Sequence, residues 1–489
     1  KGHEVDLFVD ENKIKKTIYD LNKYKPEIIG MSVTSGSHIQ YIKIAREIKK
    51  RINVPILWGG PHVTFFPKII EENFVDAVCV GEGDEAILEF ASAFDKLGGK
   101  LPTDIKNFWT KIDDKIYRNG VRPRIKKLDE IAYPARDLFT NKFPILKNHG
   151  IKHFNAHRGC PHKCTYCFNH KYNELYKGKG NILRRRSVDN VIEEVLSVAE
   201  KYPLDLVYFR DDSFNLLSDW IEEFSEKYSK QVKIPFVCTS HLNAMTDKVA
   251  EDLKRAGCVT VEVGIEAGNP RVRNEILKRH MKDLDIIEGL KMIKSKGIKI
   301  MSENILGNPG SSLEEDLDTF ILNKKCKVDY ANSGLLQPYY GTDIYQYATE
   351  EGFLDKDTSE IKSNTYLTGQ SILNVKNLKE RQRLNKIVAV ATFFRLPLWL
   401  VKILIRLPLE NVYSFINIVF KGYSGIVLYP FKWRLKETVS MVMDVLRMND
   451  FLVCAEGDVF PDGAIINADS KLLDKQIDEY KAKSKAKNK

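Results

Sequence analysis

Short apolar runs alternate with helical periodicity over the first 98 residues. The runs occupy residues 5–9, 27–33, 55–60 and 77–83, and apolar residues recur every three or four positions between them. Buried strands that alternate with helices are typical of an α/β fold with a doubly wound parallel sheet. Because the chain starts at Lys1, directly before the first run, we expect a preceding N-terminal strand to be missing from this domain.

A second alternating series begins at residue 151 and contains six strand–helix units. The predicted strands are residues 153–157, 204–210, 234–240, 259–265, 298–306 and 330–337. Ser187, Ser218 and Thr246 stand where three of the helices would begin and are suitable N-caps. Six consecutive units predict a partial (β/α)6 barrel over residues 151–350, with polar residues at the carboxyl ends of its strands. Residues 99–150, which include a hairpin pattern at 107–117, are predicted to connect the two domains.

The C-terminal part of the chain loses the strand–helix rhythm. Residues 383–421 are apolar with interspersed Arg and Lys, and Pro397 and Pro408 interrupt them, which predicts short amphipathic helices in a helical region at 351–470. Packing against the barrel explains the apolar residues most simply, and an apolar substrate channel or a membrane-surface contact are the alternatives. Residues 471–489 form a basic tail that we expect to be solvated.

Composition and charge narrow the class of protein. The formal net charge is +10, but the tail holds seven Lys against three acidic residues, so nucleic acid is not an expected partner. Eight Cys in 489 residues are too few for a disulfide scaffold, and no stretch of 18 uncharged apolar residues predicts a membrane span. A reducing cytoplasmic setting is therefore expected.

Three of the eight Cys are clustered directly after the first strand of the barrel series. Cys160, Cys164 and Cys167 are spaced by four and three positions in one loop. Thiolates are soft ligands that suit iron–sulfur clusters or zinc. A structural zinc site needs a fourth ligand, for which nearby His residues are available, whereas a four-iron cluster held by three Cys leaves one iron open to a small molecule.

This motif resembles the signature of the radical S-adenosylmethionine (SAM) enzymes, including the aromatic Phe168 after the last Cys. The resemblance implies a 4Fe–4S cluster on Cys160, Cys164 and Cys167, whose open iron binds the amino and carboxylate groups of SAM. It also implies reductive cleavage of SAM to methionine and a 5′-deoxyadenosyl radical. The electron would come from a low-potential donor such as ferredoxin or flavodoxin.

Segments at the ends of later strands resemble further parts of the same family. The resemblance implies SAM contacts for an acidic pair after the second strand, for a Gly-Ile-Glu-Ala-Gly segment and a following Arg after the fourth, and for a turn after the fifth. The residues in question are Asp211, Asp212, Glu266, Arg271, Asn304 and Gly307. A helix-capping acidic loop is the alternative for the first pair.

The N-terminal domain is similar to the cobalamin-binding domain that precedes one large group of radical SAM enzymes. The residues that carry this similarity follow its strands: Ser32, Thr34, Gly59, Gly60, Gly81 and Glu82. Other cobalamin folds use an Asp-x-His-x-x-Gly loop whose His binds cobalt, and His3, His38 and His62 do not fit that pattern. The resemblance therefore implies cobalamin held without a protein His on cobalt.

Together these resemblances imply a cobalamin-dependent radical SAM enzyme, most simply a methyltransferase that acts on an unactivated carbon of a small-molecule or lipid-like substrate. An oxidative cyclase or another enzyme that joins carbons is the alternative, because one fold supports many outcomes. Methylthio transfer to tRNA is disfavoured, since only Cys79 precedes residue 160. A non-catalytic cobalamin or iron–sulfur sensor is disfavoured because an electron carrier would close its cluster with a fourth Cys.

Overall fold

In the computed structural model, which describes residues 2–9, 14–354 and 371–430, the two predicted series form two sheets. The N-terminal sheet has three parallel strands, β1 (Ile29–Ser32), β2 (Ile56–Gly59) and β3 (Ala77–Cys79). The predicted hairpin, β4 (Phe108–Ile112) and β5 (Lys115–Arg118), adds two antiparallel strands beside β3. The doubly wound α/β class is therefore confirmed, and the hairpin inside the predicted connector extends this sheet.

Four helices accompany the N-terminal sheet. They are α1 (Ile14–Tyr24), α2 (His38–Lys49), α3 (Pro61–Phe65) and α4 (Asp84–Lys96). The strand predicted at residues 5–9 is wrong, because the described residues 2–9 contain no strand. Phe8 packs on Tyr24 of α1, with ring centroids 5.5 Å apart, while Val5 is exposed, so this run covers a helix and not a sheet edge.

The second sheet contains the six parallel strands predicted for the barrel. Their order is β6-β9-β10-β11-β12-β13, so each strand lies beside its neighbour in the series. The bounds are β6 (Ile151–Phe154), β9 (Leu206–Phe209), β10 (Phe236–Ser240), β11 (Cys258–Glu266), β12 (Lys299–Leu306) and β13 (Tyr330–Leu335). The short strands β7 (His157–Arg158) and β8 (Arg184–Arg185) pair antiparallel on either side of the cysteine loop.

Helices cover the outer face of this sheet and begin mostly where the sequence predicts. The outer helices are α8 (Val188–Lys201), α9 (Ser218–Gln231), α10 (Asp247–Ala256), α11 (Asp283–Ser295) and α12 (Leu313–Cys326). Ser187 and Thr246 accept hydrogen bonds from the backbone amides of Asn190 and Val249, as N-caps do. The cap predicted at Ser218 is wrong, because Ser218 is the first helical residue and Leu217 precedes it without a side-chain cap.

Four short helices belong neither to the set beside the N-terminal sheet nor to the set on the outer face of the barrel sheet. They are α5 (Asp137–Thr140), α6 (Pro144–Asn148), α7 (Asn169–Leu175) and α13 (Asp343–Glu350). The first two belong to the connector, and α7 follows the cysteine loop directly. The C-terminal helices also pack against the barrel.

The C-terminal helices are α14 (Leu378–Phe393), α15 (Leu398–Leu404) and α16 (Glu410–Leu428). Pro397 and Pro408 lie between them, as predicted. Leu384, Ile387 and Val388 of α14 are buried in one cluster with Leu306 and Leu335 of the barrel strands. In the part of the chain that the structure describes, no helix has the length and apolar character needed to cross a bilayer.

Two ion pairs join the N-terminal domain to the strands that flank the cysteine loop. Arg184 of β8 donates to both oxygens of the Glu82 carboxylate at 2.5 and 3.1 Å, and both side chains are almost fully buried. Arg158 of β7 makes a similar bidentate pair with Asp84 at 2.8 and 3.0 Å. Bidentate pairs fix relative orientation, so they hold the loop against the N-terminal sheet.

Arg184→Ala should destabilise the chain by about 3–5 kcal/mol, because it leaves the Glu82 carboxylate buried without its partner. The adjacent Arg185 is 46% exposed and pairs with exposed Asp219, so Arg185→Ala should cost no more than about 1 kcal/mol. Denaturant unfolding of the two variants measures the difference. Equal losses would show that the buried pair does not stabilise the domain contact.

Candidate cofactor site between the two domains

The cysteine loop leaves β7 through a residue that must be glycine. Gly159 has φ +95°, and a Cβ there would lie 2.0 Å from the carbonyl oxygen of Ile182. The chain therefore turns sharply after Arg158 and presents Cys160, Cys164 and Cys167 at the carboxyl end of the sheet.

Hydrogen bonds fix both ends of the loop. Asn173 donates to the carbonyl of Cys160 at 2.9 Å, and the Thr165 hydroxyl donates to the carbonyl of Ile276 at 2.7 Å. The buried Asp211 carboxylate accepts the backbone amides of Ala156, at 2.9 Å, and of His157. Asp211 thus positions the strand that enters the loop, whereas its neighbour Asp212 lines the cavity described below.

The three thiols lie in a protected environment. Burial raises the pKa of Cys160 to about 11 and that of Cys167 to about 12. Among the described residues, no three His, Cys, Asp or Glu side chains converge as ligands of one metal ion. An iron–sulfur cluster needs no such convergence, because each Cys binds a different iron, and a set of three thiols on one loop fits that group.

Arg279 lies beside the loop and was missed by the sequence analysis. Its guanidinium is 3.4 Å from the Cys164 sulfur and donates to the carbonyl of Gly264 at 2.7 Å. Cations next to a Cys favour the thiolate that binds metal. In the sequence Arg279 stands between Lys278 and His280, where it is indistinguishable from a surface charge.

Glu266 is joined to the same loop. The Tyr166 hydroxyl, between Cys164 and Cys167, donates to its carboxylate at 2.8 Å, and burial raises the pKa of that carboxyl. Glu266 also has φ +65° at the end of β11. Non-glycine residues in this conformation are strained, and such strain is concentrated at functional sites.

A cavity of about 750 Å³ separates this loop from the N-terminal sheet. Gly60, Thr64 and Phe65 line it on one side, and Phe168 and Asp212 line it on the other. The rings of Phe65 and Phe168 stack across the boundary with centroids 4.5 Å apart. This volume lies within the range of about 300–1,000 Å³ that is typical of small-molecule sites.

The N-terminal side of the cavity combines two glycines, Gly60 and Gly81, with residues that carry side chains, such as Thr64 and Phe65. Gly60 has φ +92°, and a Cβ there would lie 2.8 Å from the backbone of Val33. His38 and His62 do not line the cavity; their rings stack on each other at 4.2 Å, and burial lowers the pKa of His62 to about 2. No His of the described N-terminal residues therefore faces a cofactor bound in this cavity.

A second cavity, of about 450 Å³, lies inside the barrel. His153 and Arg210 line both cavities, so the two are adjacent. Its polar lining includes Glu262, which accepts from the hydroxyl of Tyr429 at 2.7 Å, and Glu303, which accepts from Asn332 at 2.8 Å. No motif in the sequence marks Glu262 and Glu303, because they come to line one cavity only when their strands pair.

The structure brings some of the predicted site residues together and separates others. Those at the first cavity are Phe168, Asp212, Gly60, Gly81 and Glu82. Those absent from its lining are Ser32, Thr34 and Gly59, on the neighbouring strand ends, and also Cys160, Cys164, Cys167, Asp211 and Glu266. The cysteine loop borders the cavity through Gly159 and Phe168. Gly307 donates its amide to the buried Asp316, away from this cavity.

Two residues with predicted SAM contacts, Arg271 and Asn304, have protein partners in the structure. Arg271 is 43% exposed and pairs with Glu315 at the start of α12, so it points away from the cysteine loop. Asn304 faces the helical layer, where it accepts from Asn323 at 2.9 Å and donates to the carbonyl of Asn332. Both side chains therefore have partners within the protein, and the SAM contacts implied for them stay predictions.

Two family models match the chain. Residues 1–91 match the B12 binding domain, and residues 154–321 match the radical SAM superfamily. An uncharacterized methyltransferase of Pyrococcus horikoshii is 30% identical over 391 residues, which cover 78% of this chain and 82% of the relative. An anaerobic magnesium-protoporphyrin IX monomethyl ester cyclase of Rubrivivax gelatinosus is 23% identical over 71% of this chain and 63% of its own length.

The fold has solved counterparts. The radical SAM methyltransferase TsrM of Kitasatospora setae, solved with cobalamin and a 4Fe–4S cluster, superimposes with a TM-score of 0.58. The match covers 72% of each chain at 16% sequence identity. At that identity the likeness concerns the arrangement of the two domains and not the individual side chains.

Glu303 should make the stability of the chain depend on pH. Burial raises its pKa from 4.5 to about 7, with nearby Glu262 and Glu266 adding to the effect and Asn332 and Arg210 opposing it. The neutral carboxyl is favoured in the folded state, so its stabilisation is complete below pH 4.5 and is lost as the pH rises to about 7. In the wild type, the free energy of unfolding should therefore fall by roughly 3 kcal/mol between pH 4.5 and 7. Glu303→Gln should abolish this fall, because the Gln side chain does not titrate.

The surface substitution Glu85→Gln, at a side chain that is 62% exposed, is the control. Unfolding is measured from pH 4.5 to 8 for the wild type and both variants. A pH profile that Glu303→Gln leaves as steep as that of the wild type would contradict the assignment.

Proposed function

The chain belongs to the radical SAM superfamily and carries its B12 binding domain, and from this premise we propose that it is a cobalamin-dependent methyltransferase. The observation that carries the proposal is the cavity between the domains, which has the cysteine loop on one side and the glycine-lined strand ends on the other. When bound, the cluster would supply the electron that cleaves SAM, and cobalamin would supply the methyl group.

The cysteine loop would hold the cluster. Cys160, Cys164 and Cys167 are its ligands in this proposal, and the Arg279 guanidinium donates to the Cys164 sulfur at 3.4 Å. Glu266, held by Tyr166, would accept hydrogen bonds from the ribose hydroxyls of SAM. The stacked rings of Phe65 and Phe168 exclude water from the boundary, which protects a reactive radical.

The N-terminal domain would hold cobalamin on the opposite side of the cavity. Gly60 and Gly81 line this wall, and each must be glycine because the protein fills its Cβ position, with the backbone of Val33 at Gly60 and the Tyr176 hydroxyl at Gly81. The buried pair of Glu82 and Arg184 keeps this wall fixed relative to the cysteine loop.

The adjacent cavity inside the barrel would take the methyl acceptor. Glu262, Glu303 and Tyr208 offer hydrogen-bond acceptors and donors, and Arg210 lies at the boundary with the first cavity. This lining favours a small substrate with polar groups near the reacting carbon. An external low-potential donor such as ferredoxin or flavodoxin would deliver the electron, and nucleic acid is not proposed as a partner.

Oxidative cyclisation is the second candidate, favoured by the similarity to the protoporphyrin ester cyclase. It would use the same cluster loop, but it would consume no methyl group. The two reactions therefore differ in whether SAM is also converted to S-adenosylhomocysteine.

The test is anaerobic reconstitution with iron, sulfide and hydroxocobalamin, followed by reduction with SAM present. Mass spectrometry should detect both 5′-deoxyadenosine and S-adenosylhomocysteine. Replacing Cys160, Cys164 and Cys167 by Ala should abolish both products and most bound iron, whereas Cys326→Ala, in α12, should change neither.

Deoxyadenosine without S-adenosylhomocysteine would favour cyclisation. Neither product from a chain with a full iron and sulfide content would contradict the radical SAM reaction altogether.

A further inference from the structure

Exposed apolar side chains are concentrated on the C-terminal helices. Of the 24 large apolar side chains that are exposed among the described residues, 12 lie within residues 393–426. These form what we call the apolar face: Phe393, Phe394, Trp399, Ile403, Leu407, Leu409, Val412, Phe415, Ile418, Val419, Tyr423 and Ile426. Scattered exposed apolar residues are ordinary, but a continuous patch marks an interaction surface.

The helix α16 is apolar on both of its sides. Tyr413, Phe420 and Leu428 are buried, and Phe420 stacks on Tyr330 of β13 with ring centroids 5.8 Å apart. The exposed residues from Val412 to Ile426 recur every three or four positions, so they lie along the opposite side. A helix that is apolar all round is expected to be covered on all sides.

The charges around the apolar face are almost all positive. Residues 394–430 contain Arg395, Lys402, Arg406 and Lys421 but only one acidic residue, Glu410. Glu410 is bound by the buried Arg383 at 2.5 Å, which offsets its charge. Lys402 pairs with Glu314, whereas Arg395, Arg406 and Lys421 have no acidic partner among the described residues.

From these observations we infer that the apolar face docks the enzyme onto the surface of an anionic phospholipid bilayer. Exposed Trp, Phe and Tyr side chains mixed with aliphatic ones, and flanked by unpaired cations, are typical of helices that lie in the headgroup region. The cations beside the apolar face complement the negative charge of an anionic lipid surface. An acidic protein partner is less favoured, because the apolar face has few polar groups that could form hydrogen bonds with it.

Docking in this orientation would place the barrel interior next to the bilayer. Tyr429 follows α16 directly, lines the cavity inside the barrel, and donates to Glu262. The outer side of the same helix carries the apolar face. One helix therefore separates the lipid surface from that cavity.

Co-sedimentation of the reconstituted full-length enzyme with vesicles tests the inference. Vesicles of phosphatidylcholine with one third phosphatidylglycerol should bind it, phosphatidylcholine alone should bind it less, and added salt should weaken binding. Phe415→Glu, at a side chain that is 68% exposed, should weaken binding at least about tenfold, because it removes a large apolar contact and adds a negative charge. Trp399→Glu, on α15, should act in the same direction.

Leu284→Glu is the matched control, because Leu284 is 66% exposed but lies on α11, outside the apolar face. It should leave vesicle binding unchanged, and thermal unfolding should verify that all three variants are folded. Equal loss in the Leu284 variant, or binding that survives Phe415→Glu, would overturn the inference. Failure of the wild-type chain to bind vesicles would also overturn the inference, whether the chain stays monomeric or forms a dimer that Phe415→Glu disrupts.

Discussion

The packing of the N-terminal domain against the cysteine loop is the contact on which the rest of the site depends. Two bidentate ion pairs, Glu82 with Arg184 and Asp84 with Arg158, cross this boundary, and the latter Arg is two residues from Cys160. The stacked Phe65 and Phe168 rings close it. Because the loop has no regular secondary structure of its own between β7 and α7, its position relative to the opposite cavity wall is fixed by these contacts. A reaction between groups held by two domains requires such fixed geometry.

The C-terminal helices extend this dependence to the turn that follows β12. The guanidinium of Arg381, on α14, is fully buried and donates to Asp316 at 2.8 Å, and the same carboxylate accepts the amide of Gly307. The turn after β12 is therefore held by a helix more than 60 residues later in the chain. Tyr429 similarly closes the barrel interior from the end of α16. These helices complete both the turn and the cavity.

Much of this fold could be predicted from sequence because the signals are local. Buried parallel strands appear in the sequence as short apolar runs, and Ser187 and Thr246 are the N-caps of the helices predicted to follow them. The cysteine spacing indicated the family, and the comparisons confirm it. The failures have long-range causes. The run at 5–9 packs on α1 and forms no strand. Arg279 and Glu303 acquire their surroundings only when distant strands pair, so no spacing in the sequence marks them.

In the proposed reaction, one cavity would have the cobalamin and the cluster on opposite sides of the domain boundary. Anomalous X-ray scattering from crystals of the reconstituted chain, collected at the cobalt and iron edges, tests it directly. We expect cobalt in the cavity lined by Gly60, Thr64 and Phe65. We expect iron on the opposite side of that cavity, at the loop of Cys160, Cys164 and Cys167. Cobalt bound elsewhere on the chain, or iron away from that loop, would contradict it.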